Sequence, residues 1–276
     1  MALLAVVRSA AAQTPAAPAP SGARILLVPR RMISGERATI AVLDVGGRLT
    51  PGVTIQFSNG DKVTTDTTGR ALFVAPLTTG ALYASIEGRP GRVATAILPA
   101  PSAASAPRID LAPRVASATD RFEMTGAGFC GDADKNRVTI EGQPALVLAS
   151  SPNALTILPP LVPPTGLAEI SVACGKEEAA SIKILFVLLK LEADTSSMQP
   201  GQKRTLKVSI GGTEERVQLE ARNLTPDVAD LEGGNPSRVV SSGGEANSAE
   251  FNVTGKKHGS FLISIRLVHT MAKPRR

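Results

Sequence analysis

The chain has no tryptophan, one tyrosine (Tyr83) and seven phenylalanines among 276 residues. A sugar-stacking platform or a sequence-blind groove for single-stranded nucleic acid presents several flat aromatic faces. Neither fits this composition, although polar recognition of polysaccharide by loops stays open. Histidine is nearly as scarce, with only His258 and His269. A histidine base needs a nucleophile or an orienting carboxylate beside it. No Gly-x-Ser-x-Gly, His-Glu-x-x-His, phosphate loop or dinucleotide fingerprint occurs. The expectation is a protein that is not an enzyme and uses no cofactor. The two cysteines, Cys130 and Cys174, form no Cys-x-x-Cys pair, which disfavours zinc or redox chemistry. Long helices are not expected, because Gly, Pro or β-branched residues interrupt every window with apolar spacing at i, i+3, i+4 and i+7. No run of eighteen apolar residues follows the N-terminus, so no transmembrane span is expected.

The formal net charge of +6 admits a polyanionic partner. The basic residues are dispersed, however, as the pairs Arg30-Arg31, Lys203-Arg204 and Lys256-Lys257 and the tail Lys273-Pro-Arg-Arg276. Such charges read as a solvated surface, and no nucleic-acid partner is expected. Residues 1–12 resemble the end of a secretory signal peptide, with Leu3–Val7 apolar and Ala10-Ala-Ala12 before Gln13. A basic segment before Leu3 is missing and Arg8 interrupts the apolar run, defects that a start placed too late would explain. The expected location is extracytoplasmic: periplasm, cell surface or secreted.

What is abundant is turn chemistry and period-two alternation. The chain carries 25 Gly and 21 Pro, and 43% of its residues are hydrophobic, so its cores are built from Val, Ile, Leu and Ala. Pro/Ala-rich stretches at 13–23 and 100–106 read as linkers. In residues 24–99, Val53, Ile55 and Phe57 alternate with polar neighbours, as do Leu82, Ala84 and Ile86, with turn signals at Asn59-Gly60 and Thr68-Gly69. In residues 107–187, Phe122 and Met124 are expected inward with Glu123 and Thr125 outward. Val138 and Ile140 are likewise inward, with Thr139 and Glu141 outward. In residues 188–270, Leu206, Val208 and Ile210 form one inward series, and Phe261, Ile263, Ile265 and Leu267 another. Ile182–Val187 runs without a linker into Leu188–Leu191, which predicts one strand shared by two units and a joint stiffer than that at 99–107. Residues 271–276 read as a basic tail.

Two stretches resemble known families. Gly35-Glu-Arg-Ala-Thr-Ile-Ala-Val, Pro51-Gly-Val-Thr-Ile-Gln-Phe and Thr65-Asp-Thr-Thr-Gly-Arg-Ala-Leu-Phe73 resemble bacterial immunoglobulin-like domains of the invasin/intimin type. Pro107–Pro113, Met124-Thr-Gly-Ala-Gly-Phe129, Asn136-Arg-Val-Thr-Ile-Glu-Gly-Gln-Pro-Ala145, Leu155–Pro160 and Gly166–Val172 resemble the IPT/TIG (immunoglobulin-like, plexin, transcription factor) family. The resemblances imply non-catalytic sandwiches of the surface or adhesion type. DNA binding, which the fold performs in transcription factors, does not carry over, because Gly131-Asp-Ala-Asp134 is acidic. In a sandwich of that topology the strands ending near Cys130 and Cys174 run parallel and end at one pole, which makes a disulfide plausible in an exported chain.

Asp132-x-Asp134-x-Asn136 has the first oxygen-ligand spacings of a calcium loop. The pattern fails at Arg137, where a sharp turn wants Gly, and at Gln143, where a bidentate Glu is needed, so it reads as a polar turn. The terminal segments Ala23–Pro29 and Phe261–Val268 are candidate edge strands for self-assembly or a protein partner.

The sequence therefore predicts an all-β chain of three tandem immunoglobulin-like β-sandwich domains, 24–99, 107–187 and 188–270. Its expected role is an exported, rod-like structural or adhesion module. The alternative is an accessory module that binds polysaccharide or another ligand within a larger surface complex.

Overall fold

The computed structural model describes residues 24–101, 106–162, 164–176, 180–192 and 198–273. The expected signal segment 1–12, the linker 13–23, residues 102–105 of the second linker and residues 274–276 of the tail lie outside the described residues. The regular structure within them is β-strand, apart from one 3-10 turn at Ala133–Lys135.

Alternation drives one face of each strand inward, and the buried side chains gather in three separate cores. The first holds Ile40, Ile55, Leu82 and the stacked rings of Phe57 and Phe73, 3.9 Å between centroids. The second holds Met124, Ile140, Leu155, Ile170 and the edge-to-face pair Phe122 and Phe186, 5.8 Å apart. Leu206, Val208, Leu219, Phe251 and Val253 centre the third. Each core is enclosed by a lobe of short strands.

In the first lobe, Asp66 shapes the hairpin that follows it. Its Oδ1 accepts the Thr68 backbone N–H at 2.7 Å and the Thr68 hydroxyl at 2.6 Å. Gly69 is required there twice over. Its φ is +75°, and a Cβ would lie 2.5 Å from the Thr50 nitrogen.

The sheets do not stop at lobe boundaries. Ala180–Glu192 is one strand: Ala180–Phe186 pairs with Gly166–Val172 in the second lobe, and Leu188–Glu192 pairs with Lys207–Gly211 in the third. The first and second lobes are also joined, where Thr39 of Arg37–Asp44 pairs with Ser150 of Leu146–Ser151. One eight-stranded sheet thereby runs from Arg24–Leu27 through the second lobe to Met271–Ala272. Met271 and Ala272, expected in a tail, instead pair with Pro113 and Ala112.

The joint between first and second lobes departs from the expected linker-only connection. Glu123 and Thr125, expected to face water, are covered. Thr125 is buried, and the Glu123 side chain is only 22% exposed beneath Arg30 of the first lobe. At the same joint Arg37–Asp44 is buried on both faces from Ala38 to Leu43. Ala38, Ile40 and Val42 fill the first core, while Thr39 and Leu43 lie outside it and are buried all the same.

Candidate functional site

The Cys130–Cys174 disulfide forms, with the Cα atoms 5.3 Å apart. It bridges the end of the loop after Phe122–Ala127 to the end of Gly166–Cys174, strands of different sheets. It also anchors residues 130–136, which are built into the first joint. The Gly131 carbonyl accepts the Thr39 hydroxyl at 2.9 Å and the Ser150 hydroxyl at 2.7 Å. The Ala133 N–H donates to Thr39 Oγ1 at 3.0 Å. Arg37 passes so close to Gly131 that any Cβ there would collide with its carbonyl oxygen.

This contact network engages the three oxygen-bearing residues of the calcium-like spacing. Asp132 Oδ1 caps the 3-10 turn by accepting the Asp134 N–H at 3.2 Å. The Asp134 carboxylate is paired with Arg70 of the first lobe at 2.8 Å, and that guanidinium also donates to the Val147 carbonyl at 3.3 Å. Asn136 Oδ1 accepts the Cys130 N–H at 2.9 Å, and its amide donates to the Cys130 and Asp132 carbonyls. Among the described residues, no group of three or more His, Cys, Asp or Glu side chains is placed to hold a metal ion.

All three lobes meet at a second place, where the groups of interest converge. A cleft of about 440 Å³ is lined by Ile25, Leu43 and Val45 of the first lobe, Asp120, Arg121 and Leu148 of the second, and Leu189, Ile263, Ile265 and Arg266 of the third. An end-to-end rod would keep the first and third lobes apart, whereas here both wall one cleft. Asp120, Arg121, Arg266 and Leu267 also line a neighbouring cleft that contains Arg30, Glu123 and His269. The two candidate edge strands are at sheet ends as expected, but Arg24–Leu27 and Ile263–Leu267 both turn towards this junction. Ala23 lies outside the described residues.

The electrostatics of the junction follow from burial. The Arg121 guanidinium is 13% exposed, and its ion-pair partner is Asp120, at 3.3 Å. Arg266 shares that same carboxylate at 3.5 Å. Burial, and then the neighbouring Arg266, weaken the hold of Arg121 on its proton, against the pull of Asp120. Arg30 pairs with Glu123 Oε2 at 2.8 Å, but the other oxygen, Oε1, is buried without a hydrogen-bond partner. Burial accordingly raises the Glu123 pKa despite the opposing pull of Arg30. His269 is pushed down by burial; Asp120 opposes the shift, and Arg30, Arg266 and Arg121 add to it. The other histidine, His258, is exposed at a bend. Of these residues only His269 carries a signal in sequence. Asp120-Arg121 and Arg266 look like surface charges until the lobes close over them.

No curated protein sequence matches the chain. Among solved structures, it is similar to SGBP-B of the Bacteroides ovatus mixed-linkage glucan utilization locus, at 12% identity and a TM-score of 0.34, covering 93% of this chain and 76% of that one. It is similar to immunoglobulin domains 1–4 of Sidekick-1 at 12% identity and a TM-score of 0.27, covering 85% and 76%. For the S-layer protein rSbsC the values are 15% and 0.22, and the match spans 93% of this chain but 40% of that protein. These superpositions are too loose to bear on function. The second lobe is a different matter. Its core and the parallel pairing of Val115–Ser117 with Leu185–Val187 fall within a family match: residues 111–187 match the IPT/TIG domain.

Proposed function

We propose that the protein is a non-catalytic, extracytoplasmic scaffold in which three immunoglobulin-like sandwiches are fixed against one another to present a defined surface to a protein partner. The observation that carries this reading is the sharing of hydrogen-bonded sheets across lobe boundaries, through Ala180–Glu192 and through Thr39–Ser150. A shared strand removes the hinge that a linker would supply, because bending there breaks backbone hydrogen bonds. The disulfide supports the location, since such bonds persist in oxidising compartments.

Small-angle scattering combined with thiol trapping in intact cells tests the reading. The expected result is one compact particle, unaltered by salt, with Cys130 and Cys174 both blocked to alkylation before reduction. An extended, flexible ensemble would overturn the scaffold, and freely alkylated thiols in cells would overturn the location. A second reading, a ligand-binding accessory module, is favoured by one observation, the cleft at the three-lobe junction with its buried guanidinium.

A further inference from the structure

We infer that the junction cleft is a binding site for a small amphipathic carboxylate, with its head on Arg121 and Arg266 and its aliphatic body along the leucine wall. This deepens the ligand-binding reading and is independent of the scaffold reading.

The first support is charge. Two guanidiniums, Arg121 and Arg266, share one carboxylate, Asp120, at the long separations of 3.3 and 3.5 Å. Arg30 and Glu123 next to them neutralise each other. One positive charge is thus left over in a site walled by aliphatic side chains. Arg121, 13% exposed, is the desolvated member, while Arg266, 43% exposed, is still partly hydrated. A desolvated charge without a full counter-charge is unfavourable, and a ligand carboxylate completes the set at Arg121 with Arg266 in reach. Arginine is suited to this, because its planar fork of donors matches a carboxylate.

Burial supplies the second support. Leu43 and Leu148 are each 1% exposed, yet they belong to none of the three cores. At that exposure both form the closed floor of the cleft, and the apolar wall open to a ligand comes from Ile25, Val45, Leu158, Leu189, Leu191 and Ile265, each half-buried or exposed. Large aliphatic side chains on the outer faces of two different lobes are there for the junction, not for the packing of either sandwich. The volume, about 440 Å³, lies within the ~300–1,000 Å³ of small-molecule sites, which join an apolar wall to a few polar anchors. An inorganic anion would satisfy the arginines and leave the wall unused. An uncharged aliphatic molecule would do the reverse.

The test uses the full chain and monomeric dodecanoate as probe, followed by titration calorimetry. Dodecanoate is expected to bind one to one, with dodecan-1-ol and dodecylamine at least tenfold weaker. Arg266→Met is expected to weaken dodecanoate at least tenfold. Val45→Trp, at a cleft residue 53% exposed, is expected to block it. Both variants should melt as the parent does, which keeps the test valid if Arg121→Met fails to fold. No heat with dodecanoate on folded protein, equal binding of the alcohol, or parent-like binding by both variants would each overturn the inference. None of these outcomes touches the scaffold reading, which stands or falls on the scattering.

Discussion

The two joints of this molecule hold their lobes by different means. The second and third lobes are joined by backbone: one strand, Ala180–Glu192, passes through both sheets. The first and second are joined mainly by side chains, with a single backbone pair at Thr39–Ser150 and polar groups from Thr39, Arg70, Ser150 and Ser151 reaching across. A backbone joint tolerates most substitutions, because any residue supplies the N–H and C=O. A side-chain joint depends on particular atoms at particular places, so single changes should break it.

The largest effect is expected from the crosslink that sets the shape of the side-chain joint. Replacing both Cys130 and Cys174 by alanine reopens a loop with a sequence separation of 44, for which the chain-entropy model gives a loss of roughly 4 kcal/mol. Denaturant melting should show it. If the loop 130–136 is the keystone of the first joint, calorimetry should also resolve a separate transition for the first lobe, while the second and third continue to melt together. A single, merely shifted transition would mean that the joint does not depend on the loop.

Next in size is Gly131→Ala. The new methyl would collide with the Arg37 carbonyl, so strand Arg37–Asp44 must move away, at an expected cost of about 1–3 kcal/mol. Thr39→Val strikes the same contact from the other side. It strands the Ala133 N–H, which donates to the Thr39 hydroxyl, for about 1–3 kcal/mol by the usual cost of a buried unpaired donor. Hydrogen exchange should rise in both variants at residues 37–44 and 146–151 and stay unchanged along Ala180–Glu192. Exchange rising equally at both joints would show that the two are not mechanically distinct.

The contrast between the joints is also a contrast in legibility. The backbone joint is readable from Ile182 to Leu191, because an apolar stretch interrupted only by Lys183 and Lys190, with no turn residue, leaves no room for a linker. The disulfide is readable once the middle lobe's topology is supplied by family resemblance. Inward positions such as Ile55, Phe57, Val138, Ile140, Leu206 and Val208 follow from period-two alternation, and each is buried. The side-chain joint is hidden, because Arg70 meets Asp134 and Thr39 meets Gly131 only after two folded lobes dock. One signal was available. Ala38-Thr-Ile-Ala-Val-Leu43 is apolar at nearly every position, the mark of a strand covered on both faces. Alternation alone put Glu123 and Thr125 in water for the same reason: a pattern within one strand carries no information about which lobe will cover its outer face. The cleft was still less legible, since its two arginines, Arg121 and Arg266, come from different lobes and its walls from all three.

A pH series sharpens the comparison at the three-lobe junction, where burial shifts the titration of His269 and Glu123. His269 has its pKa lowered from the ordinary 6.5 by burial. The unfolded chain therefore takes up a proton first, and stability present above about pH 6.5 is lost as pH falls to the lowered folded value. Glu123 acts oppositely. Its pKa is raised from 4.5 by burial, so its contribution is full below that value and is lost as pH rises through the raised one. His269→Gln should flatten the stability profile just below pH 6.5. Glu123→Gln should leave stability at pH 7 unchanged or higher, because Arg30, 79% exposed, is left solvated, and should remove the gain on acidification. Urea melts at half-unit intervals would read both, and a fall in stability for Glu123→Gln at pH 7 would show that the Arg30 pair outweighs the burial of the carboxylate.

The smallest effect is expected where a charged pair spans the backbone joint. Arg114 and Glu215 link the second and third lobes at 2.9 Å, with side chains 63% and 56% exposed. Exposed pairs of this kind contribute about 0–1 kcal/mol, less in salt. Arg114→Ala should therefore change stability by no more than a few tenths of a kcal/mol in physiological salt, and leave the coupling of the two lobes intact. The alignment of those lobes is fixed already by five backbone-paired residues from Leu188 to Glu192, and an ion pair formed between surfaces that are already held has little orientation left to select. Uncoupled melting of the third lobe in this variant would mean that the shared strand is a tether and that side chains align both joints alike.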